Sequence, residues 1–130
     1  MSTASTADRP ENRLLPCPAS PNCVSSLASD RQHAVSPLTF DEPPELVWQR
    51  LRAVLDTEKR MTIRTEEGGY LHAEFRSRVF GFVDDVEFLL LPEEGMIHIR
   101  SASRTGYSDF GVNRKRIERL RLKFRSRDSD

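Results

Sequence analysis

The side chains of this 130-residue chain with the most reactive chemistry are two cysteines, Cys17 and Cys23, and three histidines, His33, His72 and His98. A cysteine becomes a nucleophile only as a thiolate, beside a base or a cation. His72 or His98 could act as that base, which would make the chain a hydrolase or another thiol-dependent enzyme. A zinc site would need four ligands, and no second paired cluster accompanies the cysteines, so neither a metal nor a cofactor is expected. In a reducing cytoplasm the two thiols are expected to stay free, acting as small apolar groups that pack a stiff segment against a sheet edge. A disulfide across the intervening proline turn is the alternative.

The segment from Arg100 to Arg116 suggests different chemistry. Its pattern is a strand end, a loop framed by Gly106 and Gly111, and a helix start near Asn113. The free amides and dipole at a helix start favour an anion. Arg104 and Arg114 flank that start, and Arg100, Ser103, Tyr107, Asp109 and Asn113 complete the candidate binding set. The competing reading is internal: Asp109 caps the helix, or pairs with an arginine of the same fold. A second polar group, including His72, Arg76, His98 and Arg100, is expected on one sheet face beside Glu74 and Glu87. There, mixed charges suggest cross-strand ion pairs. Asp84 and Asp85 are adjacent on a strand, point to opposite faces, and so make a poor acid–base pair.

Periodicity shows what must position these groups. Val47, Trp48, Leu51, Val54 and Leu55 recur at helical spacing, predicting a helix over 42–56, with Asp41 as cap and Pro43 and Pro44 in the first turn. Met61, Ile63 and Thr65 alternate, as do Leu71, Ala73 and Phe75, then Val86, Phe88 and Leu90, then Ile97, Ile99 and Ser101. Alternation of this kind marks antiparallel strands with one covered face. The apolar run Val79–Val83 is read as a hairpin bend or bulge at its glycine with one phenylalanine turned outward; core packing is the favoured explanation, and contact with a partner or an amphiphilic ligand is the alternative. Asn113, Ile117, Leu120 and Phe124 form a last helical stripe, with ordered helix expected to about Lys123. Between Arg114 and Arg127 eight basic residues face one acid, Glu118.

The expected fold is therefore α+β: an antiparallel sheet of about four to five strands with two helices packed on one face. Residues 1–13 are expected to form a disordered tail and 14–124 a single domain. Within it, 14–37 form a Pro-rich extended segment, with polar linker from Ser25, and 38–124 form the core. Residues 125–130 are expected to fray.

Three motifs carry a resemblance. They are Cys17-Pro18-Ala19-Ser20-Pro21-Asn22-Cys23-Val24-Ser25-Ser26, the pair Tyr70–Arg78 and Phe82–Phe88, and Ile97–Asp109 with Gly111–Arg114. In that order they resemble the domain of unknown function 1499 family. The resemblance implies no activity and supplies no catalytic residues.

The 20 basic and 20 acidic residues cancel, which argues against a nucleic-acid-coating polycation. No apolar run reaches the length of a transmembrane helix, and the N-terminus lacks a signal-type apolar stretch, so a soluble cytoplasmic protein is expected. With no nucleophile–base motif, the leading expectation is a non-catalytic binding module for a small anionic ligand or a protein partner. The enzyme reading is second.

Overall fold

The structure, a computed structural model, describes residues 14–78, 80–106 and 109–128. The tail 1–13 and Tyr107 lie outside the described residues. Six strands form one antiparallel sheet: β1 (Cys23–Ser25), β2 (Leu38–Thr39), β3 (Met61–Glu67), β4 (Tyr70–Arg76), β5 (Val83–Leu91) and β6 (Met96–Ser103). The order is β1-β6-β5-β4-β3, and β2 also pairs with β6, at its opposite end from β1. Two helices, α1 (Pro44–Leu55) and α2 (Val112–Asp128), complete the α+β fold.

The alternation places the core as expected. Leu71, Ala73, Phe75, Val86, Phe88, Ile97 and Ile99 are buried with Val47, Leu51, Val54 and Leu55 of α1 and Ile117, Leu120 and Phe124 of α2. At roughly 25 cal/mol per Å2, such apolar burial is the main term favouring this fold. Arg50 of α1 lies 4.7 Å over the Phe124 ring of α2, clamping the helices together.

Several expectations are corrected. Pro43, not Asp41, is the N-cap of α1, and its missing side-chain cap is offset by Pro44 at the first helical position. A bulge between Ile63 and Thr65 puts Thr65 opposite His72, so it does not continue the stripe of Met61 and Ile63. The same shift turns Glu66 toward α1, where it accepts from Trp48 Nε1 at 2.6 Å and also pairs with Arg52. Residues Ser25–Pro37 are more than linker. Ser25 and His33 are buried, and Ser25 bridges Ala34. His33 spans the loop, with Nδ1 at 2.6 Å from Asp30 Oδ2 and Nε2 at 2.9 Å from the Ser20 carbonyl. The helix α2 continues through Arg125 to Arg127, beyond the expected end of order.

Candidate functional site

The cysteines are joined. Pro16, Pro18 and Pro21 turn the segment so that the Cys17 and Cys23 Cα atoms lie 5.7 Å apart, and a disulfide closes the loop. The expectation of free thiols is thereby corrected. No thiolate is available to His72 or His98 while this bond stands. The stapled segment lies across the sheet face opposite the helices. There Leu14 clusters with Tyr70, Leu89 and Leu91, and Arg100 reaches the Pro16 carbonyl at 3.4 Å. A hollow of about 410 Å3 opens beside it, lined by Leu14, Leu15, Pro16, Cys17, Leu27 and Asp30 among others.

Six of the seven residues of the expected anion site lie among the described residues, and they separate onto three surroundings. Arg104 and Arg100 project onto the open sheet face. Arg104 donates to Asp85 at 2.7 and 3.1 Å and to Glu74 at 3.0 Å, and Arg100 pairs with Glu87 at 3.4 Å. Ser103, Asp109 and Asn113 belong instead to a network beneath the helix start. Asn113, fully buried, accepts from Ser101 Oγ at 2.6 Å and from Arg116 at 2.9 Å. Its amide donates to Asp109 at 2.6 Å, to Ser103 Oγ at 3.0 Å and to the Asn22 carbonyl at 3.3 Å. Arg114 caps the carbonyls of Arg31, Gln32 and Ala34, the last at 2.8 Å.

Asp109 also accepts from the backbone amides of Gly111 at 2.8 Å and Asn113 at 3.1 Å. Burial raises its pKa, but Asn113 and those amides outweigh burial and hold the carboxyl below its usual range. The amides an anion would use are thus engaged by the chain's own carboxylate.

On the open face, His72 Nε2 lies 2.8 Å from Asp85, and Arg64 lies 3.1 Å from Glu74. Burial opposes ionisation of Asp85, yet hydrogen bonds from Arg104 and His72 keep its pKa low. Glu74 is held low by Arg104 first, with burial opposing and Arg64 adding. These carboxylates in turn raise the pKa of Arg104. His72, Glu74 and Asp85 each offer a ligand atom within 4.8 Å of the others, so they could hold a cation. In this structure Arg104 supplies the positive charge between the two carboxylates. His98 is separate, with Nδ1 at 2.9 Å from Ser26 Oγ. Arg76 is exposed at the end of β4.

Sequence reasoning missed two participants and misplaced a third. Arg116 is buried, pairs with Asp84 at 2.7 Å and lies 5.0 Å over the Phe75 ring. Asn22 ties the stapled segment to the loop after β6 by donating to the Gly106 carbonyl at 2.7 Å. The expected core packing of the apolar run is overturned. Phe80 and Phe82 are 74% and 57% exposed and stack on each other, with centroids 5.4 Å apart. Ser77 closes that turn by exchanging hydrogen bonds with the Phe82 backbone, at 2.8 and 2.9 Å. The expected bend is present, with a φ of +69° at Gly81, but both rings and not one are turned outward.

Much of the basic charge of α2 is spent internally. Arg119 and Lys123 both pair with Glu58, at 2.6 and 2.5 Å, and Arg121 caps the carbonyls of Ser36 and Pro37 at 2.6 and 2.9 Å.

These features define an α+β sheet protein with an ion-paired open face, a buried polar clasp at its second helix, and an aromatic turn at one end of the sheet. No helix among the described residues is long and apolar enough to cross a membrane. Over residues 13–124 the sequence matches the family described as Protein of unknown function (DUF1499), and the chain belongs to that family. No curated protein matches it.

Proposed function

We propose that this chain is a non-catalytic binding module that engages its partner through the end of the sheet at the β4–β5 turn, around Phe80 and Phe82 and beside residues 104–106. The carrying observation is the stacked, exposed pair Phe80–Phe82, held in place by Ser77. Apolar rings fixed in water gain free energy when a partner covers them. The groups that could do chemistry are engaged elsewhere: the cysteines in a bond, Arg104 with two carboxylates, and Arg114 with carbonyls. A small anion at the helix start is the less favoured version, because Asp109 already accepts from its amides. The thiol-dependent enzyme would require the disulfide to be reduced first. That bond also favours an oxidising compartment over the cytoplasm as the working location.

The test compares the double variant Phe80→Ser with Phe82→Ser against Leu122→Ser, a control at an exposed apolar residue of α2. Cell extract is divided into soluble protein, membrane and small-molecule fractions. The turn variant is expected to lose at least about tenfold of its retention on one fraction, while the control keeps it. Equal retention by both variants on every fraction overturns the reading.

A further inference from the structure

Resting on that reading, we infer that the partner of this end of the molecule is an anionic phospholipid surface. The first reason is shape. A Cβ added at Gly81 would meet nothing within 4 Å, and the same holds at Gly106 in the neighbouring loop. The two segments are neighbours, because the Arg104 amide donates to the Val83 carbonyl at 2.9 Å. The rings, 74% and 57% exposed, therefore border open solvent on this side. A folded protein partner would have to supply a matching hollow, whereas the interfacial layer of a bilayer flows around a protruding apolar group.

The second reason is charge. Exposed Lys59, Arg60, Arg76 and Arg78 surround the turn, and the Arg76 amide donates to the Arg60 carbonyl at 3.0 Å, tying the two basic segments together. Of the carboxylates near them in sequence, Glu58 pairs with Arg119 and Lys123, Asp84 with Arg116, and Glu74 with Arg64 and Arg104 and, at 3.9 Å, with Arg76 itself, while exposed Asp56 precedes Lys59 by three residues. The opposite end of the sheet carries Asp41, Glu67, Glu93 and Glu94, with Arg125 lining one hollow with Asp41 and Glu94 and His98 at 3.6 Å from Glu94. In a chain of zero net charge, four exposed cations thus gather at the aromatic end. An anionic surface attracts those cations, which favours docking by the aromatic end without a net charge.

Each basic side chain near such a surface is worth about a fivefold change in binding. Two inserted phenylalanine rings supply the remainder by leaving water.

The experiment uses the full, disulfide-bonded chain and co-sedimentation with vesicles of phosphatidylcholine alone or mixed with phosphatidylglycerol. Binding is expected only to the mixed vesicles and is expected to weaken as salt rises. Phe80→Ser with Phe82→Ser should reduce it at least about tenfold, and Arg78→Ser about fivefold. A Phe82→Trp variant should show blue-shifted emission on mixed vesicles. Lys115→Ser with Arg125→Ser, on α2, should change binding less than Arg78→Ser. No binding to mixed vesicles, or equal binding by the Phe80/Phe82 variant, overturns the inference. Should vesicles fail while retention on soluble protein still depends on Phe80 and Phe82, the lipid partner is wrong and the binding module stands. Loss of that dependence in every fraction removes both.

Discussion

Replacing Asn113 by alanine tests the buried clasp. The side chain is fully buried and has five hydrogen-bond partners, Ser101, Arg116, Asp109, Ser103 and the Asn22 carbonyl, its two amide hydrogens being shared among the last three. Some partners keep another bond. Arg116 retains Asp84 and Ser101, and Asp109 retains two amides. Weighting the five bonds at somewhat under 1 kcal/mol each gives a loss of about 3 to 4 kcal/mol. For a domain of this size that is roughly 12 to 16 °C in Tm. Ser103→Ala removes one partner of the same clasp and should cost only about 1 kcal/mol. Asn113→Asp replaces a donor with an acceptor beside Asp109 and should be destabilising at neutral pH, with partial recovery in acid. Urea unfolding followed by circular dichroism measures all three. A loss under about 1 kcal/mol for Asn113→Ala, or a neutral Asn113→Asp, would refute the reasoning that this clasp anchors α2 to the sheet.

Other outcomes follow from the same geometry. The Cys17–Cys23 loop is short, so replacing both cysteines by serine should cost about 2 kcal/mol; thiol titration of the unfolded, unreduced chain should find none free, and reactive thiols there would contradict the bond. Arg104→Ala should let Asp85 and Glu74 rise toward ordinary carboxyl values. Because their folded pKa values are depressed, they stabilise the fold above about pH 4 and lose that effect as pH falls through the folded values. The variant should therefore be weaker than wild type at neutral pH and nearly equal in strong acid, and an unchanged pH profile would show that these pairs contribute nothing. His33 has the opposite sign. Its contact with the Ser20 carbonyl raises its pKa first, against burial, and Asp30 adds to the rise. Its stabilisation is complete below about pH 6.5 and is lost as pH climbs through the folded value. His33→Gln should flatten the fall in stability on the alkaline side, as measured by urea midpoints across that range.

How much was legible depended on distance along the chain. Faces of β4, β5 and β6 followed from alternation, because successive strand residues must point to opposite sides. Asp84 and Asp85 separate as that rule requires, one to Arg116 and the other to Arg104. The stripe Ile117, Leu120 and Phe124 buried itself for the equivalent helical reason. Where local rules stopped, readings diverged. Thr65 left the face of Met61 and Ile63 because of one inserted residue, and a bulge has no periodic signature. Arg104 and Arg114, ten positions apart in sequence, went to different surroundings. Arg104 met Glu74, 30 residues back, and Arg114 met Ala34, 80 residues back.

Residue order alone therefore determined the layer architecture, the two amphipathic helices and the sides of the central strands, since each rests on backbone periodicity within a few residues. Tertiary structure decided which charges cancel, which stay in solvent and which cysteine chemistry survives. Those outcomes depend on pairings between distant segments. The Phe-Gly-Phe run shows the difference plainly: its composition suited a core, but its place at a strand-connecting turn left it no second layer to pack against.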